Sequence, residues 1–202
     1  LSTLKQLDYI VSKHSDVFKN TKILYRPHPW RAPRECFDLF NKLDFKKVEI
    51  DPQVADAYYR KGNSKEFLPD LNYYPILLKN ALFVVGPLTT MLIESLICGK
   101  EVLALAYDDG VHISSPHNAY RYYPHFRGID RIKGLFLCEK IKEIEGDILG
   151  MMMREEKTDL FEIRKSLQYF VFNDSESYAN RLKQIVDGIG AKFGQYLSLI
   201  HI

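Results

Sequence analysis

Two stretches of the chain carry residue types suited to holding an anion and assisting a departing group. The first is Tyr25-Arg26-Pro27-His28-Pro29-Trp30-Arg31. Pro27 and Pro29 lack an N–H and push the residue before each into extended backbone, so Arg26 and His28 stand open at a strand end. A cation and an imidazole there can bind a pyrophosphate or act on a leaving group; an ordinary surface turn is the other reading. The second stretch is Gly86-Pro87-Leu88-Thr89-Thr90, running into a helix. A helix start offers unsatisfied N–H groups and a positive dipole end, and threonine hydroxyls add donors, which together make a phosphate site. Equally, Thr89 or Thr90 caps the helix and does no more. Glu94 lies four residues after Thr90 and five after Thr89, whereas a capping box needs a spacing of three. Set among Met91, Leu92, Ile93, Leu96 and Ile97, it is expected on a mostly buried helix and therefore to have a partner. Ribose hydroxyls suit a carboxylate that accepts two hydrogen bonds; a first-turn acid helped by the dipole, or a salt bridge, remains open.

Weaker sets lie downstream. Asp108-Asp109-Gly110 follows a strand and is read as a simple turn in preference to a sugar contact. His112, His117 and His125 share a loop with no common zinc spacing, so no metal site is expected. Arg121, Arg127 and Arg131 stand among Tyr120, Tyr122, Tyr123 and Phe126. That mixture can stack on sugars in an acceptor groove, stack on RNA, or pack a solvated loop on the domain edge.

The elements that must position these residues follow from periodicity. Leu4, Leu7, Val11, His14 and Phe18 predict an amphipathic helix over Thr3–Lys19. Strands are expected at Lys22–Tyr25 and Lys47–Ile50, with helices at Arg34–Leu43 and Tyr73–Asn80; Asp51–Leu71 is mixed, with a loop at Gly62-Asn63-Ser64. The clearest unit is strand Leu82–Val85, the turn Gly86–Thr90, helix Met91–Cys98 stopped by Gly99, and strand Glu101–Ala106. Strand, helix, strand at this spacing is a right-handed crossover between parallel strands. Tyr107–Arg131 reads as a long functional loop, Gly134–Leu137 as a last strand, and helices follow near Glu139–Leu149, Asp159–Phe170 and Ser177–Val186. The expected fold is α/β, a doubly wound, Rossmann-like parallel sheet whose ligands bind beyond the carboxyl ends of the strands.

Composition sets the bounds. In 202 residues, 46% hydrophobic and 27% charged, the net charge is +2. That is a globular domain without the electrostatic footprint of a nucleic-acid or anionic-membrane binder. No apolar run approaches the roughly 18–20 residues of a membrane span. Cys36, Cys98 and Cys138 are odd in number and widely spaced, which fits a reducing, cytoplasmic setting. Leu197-Ser198-Leu199-Ile200-His201-Ile202 resembles translated adapter sequence, so the natural domain is expected to span 1–196 with 197–202 an added tail.

Arg26-Pro27-His28-Pro29 after a strand, an acidic strand end, and then Ala81 through Leu103 resemble the donor-binding half of GT-B glycosyltransferases of bacterial surface-polysaccharide synthesis. Capsule glycosyltransferases, CDP-glycerol glycerophosphotransferases and sialyltransferases with a His-Pro motif share this pattern. The resemblance runs over about Leu4–Leu137 and more loosely to Asp187. It implies a transferase that takes a nucleotide-activated sugar or glycerophosphate donor and needs no cofactor or catalytic metal. It implies His28 at the donor phosphate or leaving group, Arg26 in support, Gly86, Thr89 and Thr90 on the phosphates, and Glu94 on the ribose. It further implies a glycan or lipid-linked acceptor held by an N-terminal half not contained here, a C-terminal donor domain whose first strand, ahead of the opening helix, is lacking, and a protein in the cytoplasm or at the inner face of the plasma membrane. Thr-Thr in place of the commoner serine, and Pro87 inside the turn, depart from the family pattern. A UDP-N-acetylglucosamine 2-epimerase shares the fold and a similar donor site. A non-catalytic nucleotide- or glycan-binding module is the rival outside enzymes. A flavodoxin-like regulator would need an acidic pocket and a lysine that are not seen.

Overall fold

The computed structural model describes residues 2–27, 40–59, 70, 72–108, 110, 115–168, 170–171, 180, 183 and 187. The chain divides into two compact units, Leu1–Leu167 and Gln168–Ile202. In the second, Lys183 pairs with Asp187 one helical turn on, at 3.0 Å.

The first unit is α/β with parallel strands in two small sheets. Helix α1 (Ser2–Lys13) and the short α2 (Ser15–Phe18) precede β1 (Ile23–Tyr25). Then come β2 (Val48–Ile50), α3 (Pro52–Tyr59), α4 (Tyr73–Asn80), β3 (Val84–Pro87), α5 (Thr90–Ile97) and β4 (Val102–Leu105). Helix α6 (Pro116–Tyr122), β5 (Leu135–Cys138), α7 (Ile144–Met153) and α8 (Leu160–Leu167) complete it. Strands β1 and β2 pair in parallel, Ile23 opposite Val48. Strands β3, β4 and β5 form the second parallel sheet, with Val84 opposite Val102 and Val102 opposite Leu135.

Side-chain alternation on β4 explains the layering. Leu103 and Leu105 join Leu7, Ile10 and Val11 of α1 and Ile144, Ile148 and Met151 of α7 in one buried cluster. Ile23 of β1 and Phe83 and Val85 beside and on β3 pack against that same cluster. All four residues of β4 are buried, as expected of a parallel strand covered on both faces. Helices α5 and α8 meet at Gly134, where a Cβ would lie 3.1 Å from Ile163 Cδ1 and 3.5 Å from Leu96 Cδ2. With φ at +80°, that turn into β5 suits glycine on both counts.

Several expectations change. The predicted single helix breaks at His14, whose φ of −104° and ψ of 48° lie outside the helical region. Gly86-Pro87 is the end of β3 rather than part of the turn; the missing N–H of Pro87 falls on the edge away from β4, where the ladder does not need it. The segment 107–131 is not one long loop: Ser115 Oγ accepts from the Asn118 N–H at 3.3 Å and Pro116 occupies the first turn, a cap-and-proline start that nucleates α6. The mixed stretch after Asp51 opens with α3, for the same reason: Asp51 caps it and Pro52 begins it. The Arg34–Leu43 helix lies mostly, and Gly62-Asn63-Ser64, Ser177–Val186 with few exceptions and the 197–202 tail lie, outside the described residues.

Candidate functional site

The parallel strands send their carboxyl ends to one side, and three polar features gather there. The first is at the end of β1 and β2. Asp51 is fully buried and caps α3, its Oδ1 accepting the Gln53 N–H at 2.8 Å. Its Oδ2 accepts from Arg26 Nη1 at 2.5 Å, while Arg26 Nη2 donates to Gln53 Oε1 at 3.1 Å. The Tyr73 hydroxyl donates to Asp51 Oδ1 at 3.3 Å; its burial, then the Asp51 charge, raises the phenol pKa. The Arg26 side chain is only 11% exposed. A buried carboxylate thus fixes the guanidinium at the end of β1.

The second feature is Tyr74, beside the first in chain and space. The Arg26 guanidinium carbon lies 5.0 Å from the centre of its ring, a cation–π contact. Its phenol oxygen is buried and completes no hydrogen bond of good geometry. Burial foremost, and then the neighbouring Glu94 carboxylate, keep that phenol protonated well beyond the ordinary tyrosine range; Arg26 opposes them only in part. The Tyr74–Glu94 contact is therefore charge proximity, not a formed bond. Tyr74 links Arg26 at the end of β1 to Glu94 on α5.

The third feature is the start of α5. Thr89 precedes it in extended backbone, φ −145° and ψ 165°, and its hydroxyl makes no capping bond. The first intrahelical bond runs from the Leu92 N–H to the Thr89 carbonyl at 3.1 Å. Thr90 is exposed and Gly86 half-buried on the preceding strand. At the other end Gly99 N–H bonds to Leu96 O at 2.9 Å and Lys100 N–H to Ser95 O at 2.9 Å, the glycine-capped stop expected from the sequence.

Glu94 itself is exposed, not buried. The reason is helical geometry. Leu92, Ser95 and Leu96 form the buried face of α5. Glu94 sits about 200° round the helix from Leu92. The apolar residues flanking it made the helix look buried all round, yet Ile97 on the outer side is also 42% exposed. The carboxylate is thus available to solvent and to a ligand at the same time as it faces Tyr74.

His28 lies outside the described residues, as do Trp30, Arg31, Asp109 and His112. Asp108 takes the turn role expected of it, Oδ1 accepting the Gly110 N–H at 2.9 Å. His125 packs between Tyr123 and Phe126, ring centres 5.6 and 4.2 Å away. Arg121 faces Glu139 at 3.6 Å and lies 5.8 Å from the Tyr120 ring centre. Of the acceptor-groove candidates, Tyr120, Arg121, Tyr123 and Phe126 thus contact neighbours along this edge, while Tyr122, Arg127 and Arg131 are exposed. No group of three or more metal-ligating side chains gathers among the described residues. None of their helices is long and apolar enough to cross a membrane. Cys98 and Cys138 are free thiols, and burial pushes Cys138 up to about 12.

Sequence reasoning missed Asp51, Tyr73 and Tyr74. Asp51-Pro52 after a strand was a readable helix start; nothing local marks Tyr74, whose importance comes from neighbours distant in sequence. Comparison with protein-family models, with curated proteins and with solved structures found no match.

Proposed function

We propose that this chain supplies the donor-binding half of a GT-B glycosyltransferase acting in bacterial cell-surface polysaccharide synthesis. In this reading β2-β1 and β3-β4-β5 are the two halves of one doubly wound sheet, and the donor lies across the crevice at their carboxyl ends. The observation that carries the proposal is the α5 start: an extended Thr89 whose hydroxyl caps nothing, an exposed Thr90, and Glu94 one turn further along. Free N–H groups and threonine hydroxyls suit a diphosphate, and an exposed carboxylate suits ribose hydroxyls. Arg26, fixed by Asp51, contributes positive potential behind Tyr74.

The reaction so proposed is attack by an acceptor hydroxyl on the anomeric carbon, or on phosphorus for a glycerophosphate donor. The bond to the nucleotide phosphate breaks as the new bond forms. The charge left on the departing phosphate is stabilised by the fixed donors of the α5 start, and His28 acts on the leaving group. The acceptor, glycan or lipid-linked, belongs to a further domain, and the site faces the cytoplasm or the inner membrane surface. The test is calorimetry with UDP and CDP followed by transfer assays of the complete enzyme. Glu94→Ala is expected to weaken nucleotide binding by about 1–3 kcal/mol, as for a lost charge-assisted hydrogen bond. His28→Ala is expected to slow transfer by about 10²–10⁴-fold while leaving binding largely intact. Unchanged affinity in a folded Glu94→Ala protein removes the ribose assignment.

A further inference from the structure

Helix α4 brings two tyrosines to the carboxyl ends of the strands. Asp70 sets its start: the Oδ1 accepts the Asn72 N–H at 2.8 Å and the carbonyl accepts the Tyr74 N–H at 3.2 Å. Tyr73 and Tyr74 then stand about 100° apart round the helix and reach different partners. The Tyr73 hydroxyl donates to Asp51. Tyr74 shares its face of α4 with the buried Leu78 and lays its ring against Arg26. Arg26 is in turn held by Asp51 and Gln53, so the ring rests on a fixed cation.

The ring is thus placed by the fold, but its hydroxyl does nothing for the fold. The oxygen is buried and completes no hydrogen bond among the described residues. Such a group costs stability, and phenylalanine would fill the same space without that cost. The neighbouring acceptor is the Glu94 carboxylate, and burial of the phenol keeps on it the proton that it would donate. Glu94 lies on the exposed side of α5, where a glutamate samples several rotamers. We propose that Tyr74 is the positioning residue of the donor site: its hydroxyl, unpaired in the free protein, donates to Glu94 when the ribose of a nucleotide orders that carboxylate. A carboxylate has about four acceptor positions on its two oxygens, so one bond to Tyr74 leaves room for both ribose hydroxyls. Because the bond is completed only in the complex, the penalty carried by the free protein is relieved on binding. The bound carboxylate is then held in one orientation relative to the α5 start. This inference rests on the donor reading of Glu94 and adds the group that sets its geometry.

Calorimetry on the 202-residue chain tests it. UDP and CDP, each with its 2′,3′-dideoxy analogue, are titrated into the parent, Tyr74→Phe, Glu94→Ala and the double variant. Phenylalanine keeps the ring against Arg26 and removes one oxygen. The expected result is nucleotide binding roughly threefold to tenfold weaker in Tyr74→Phe, as for one lost hydrogen bond. The dideoxy analogues should bind the parent and Tyr74→Phe alike, and Tyr74→Phe should change nothing further once Glu94 is alanine. Denaturant unfolding of the free proteins should find Tyr74→Phe at least as stable as the parent. A packing role does not produce weaker binding without weaker folding. If the parent binds nucleotide and Tyr74→Phe binds it equally well, Tyr74 only packs, and the proposal falls while the donor reading stands. Equal losses for the ribo and dideoxy nucleotides, or a loss that persists without Glu94, would show that Tyr74 does not act through that carboxylate on the ribose. A Tyr74→Phe protein less stable than the parent would show that the phenol already has a partner in the free protein. Each of these results overturns the proposal. No saturable binding to the folded parent removes the donor reading itself, and this inference with it.

Discussion

Asp51 does two jobs with two oxygens, and the site depends on both. One oxygen caps α3 through the Gln53 N–H, and the other holds Arg26. Replacing it with alanine leaves a nearly buried guanidinium without this carboxylate and uncaps a helix. Denaturant unfolding of Asp51→Ala is expected to show a loss of about 3 kcal/mol, in the range for breaking a buried ion pair; a loss nearer to the few tenths of a typical surface pair would mean that Arg26 is held chiefly by other groups. The contrast with Glu94 is instructive. Its place in the sequence was read correctly as a carboxylate near the helix start, but its surroundings were not. An apolar run such as Met91-Leu92-Ile93 does not say how many sides of a helix are covered, because burial is decided by what packs on it. Arg26 was legible at the end of a strand but was expected to stand open there; its side chain is instead 11% exposed and tied to Asp51 and Tyr74, 25 and 48 residues further on, which spacing did not show. Spacing along the chain carries local geometry; it carries no information about which strand ends converge.

At the scale of elements, the unit from β3 to β4 was legible in kind and order, with bounds off by one or two residues. Local signals agree there: an apolar strand, a helix closed by glycine, a second apolar strand, each favoured by its own sequence. The segment 107–131 was not, since aromatic and basic residues hid a serine cap and a proline start. A different device ties the amino end of β4 to α8. Glu101 is 3% exposed and accepts from the Thr158 N–H and hydroxyl at 2.8 and 2.7 Å. Arg154 and Lys157 lie 3.6 and 3.5 Å away. Burial alone would raise its pKa, but the Thr158 bonds and the two cations outweigh it and hold the carboxyl below its ordinary 4.5. A lowered folded value means that the contribution to stability is complete above about pH 4.5 and is lost as pH falls through the folded value. Glu101→Gln should therefore cost about 1–3 kcal/mol at neutral pH and approach the parent protein in acid. Unfolding curves recorded from pH 7 downward check this, and a difference that stays constant with pH would contradict it.

At the scale of the molecule, parallel strands and an α/β class followed from the order of apolar runs, because strand-helix-strand spacing leaves few topologies. Among the described residues the single sheet expected from that order is instead two, β1-β2 and β3-β4-β5. The polar cluster lies at this parting, where a doubly wound sheet would place a ligand. The central claim is that a nucleoside diphosphate binds there by the start of α5. Titration of the isotope-labelled chain with UDP and CDP, followed through backbone amide shifts, tests it most directly. The account predicts saturable shifts centred on Thr89, Thr90 and Met91, reduced in the Glu94→Ala protein. Shifts confined to the Tyr120–Phe126 edge, or none at millimolar nucleotide in a folded protein, would contradict it.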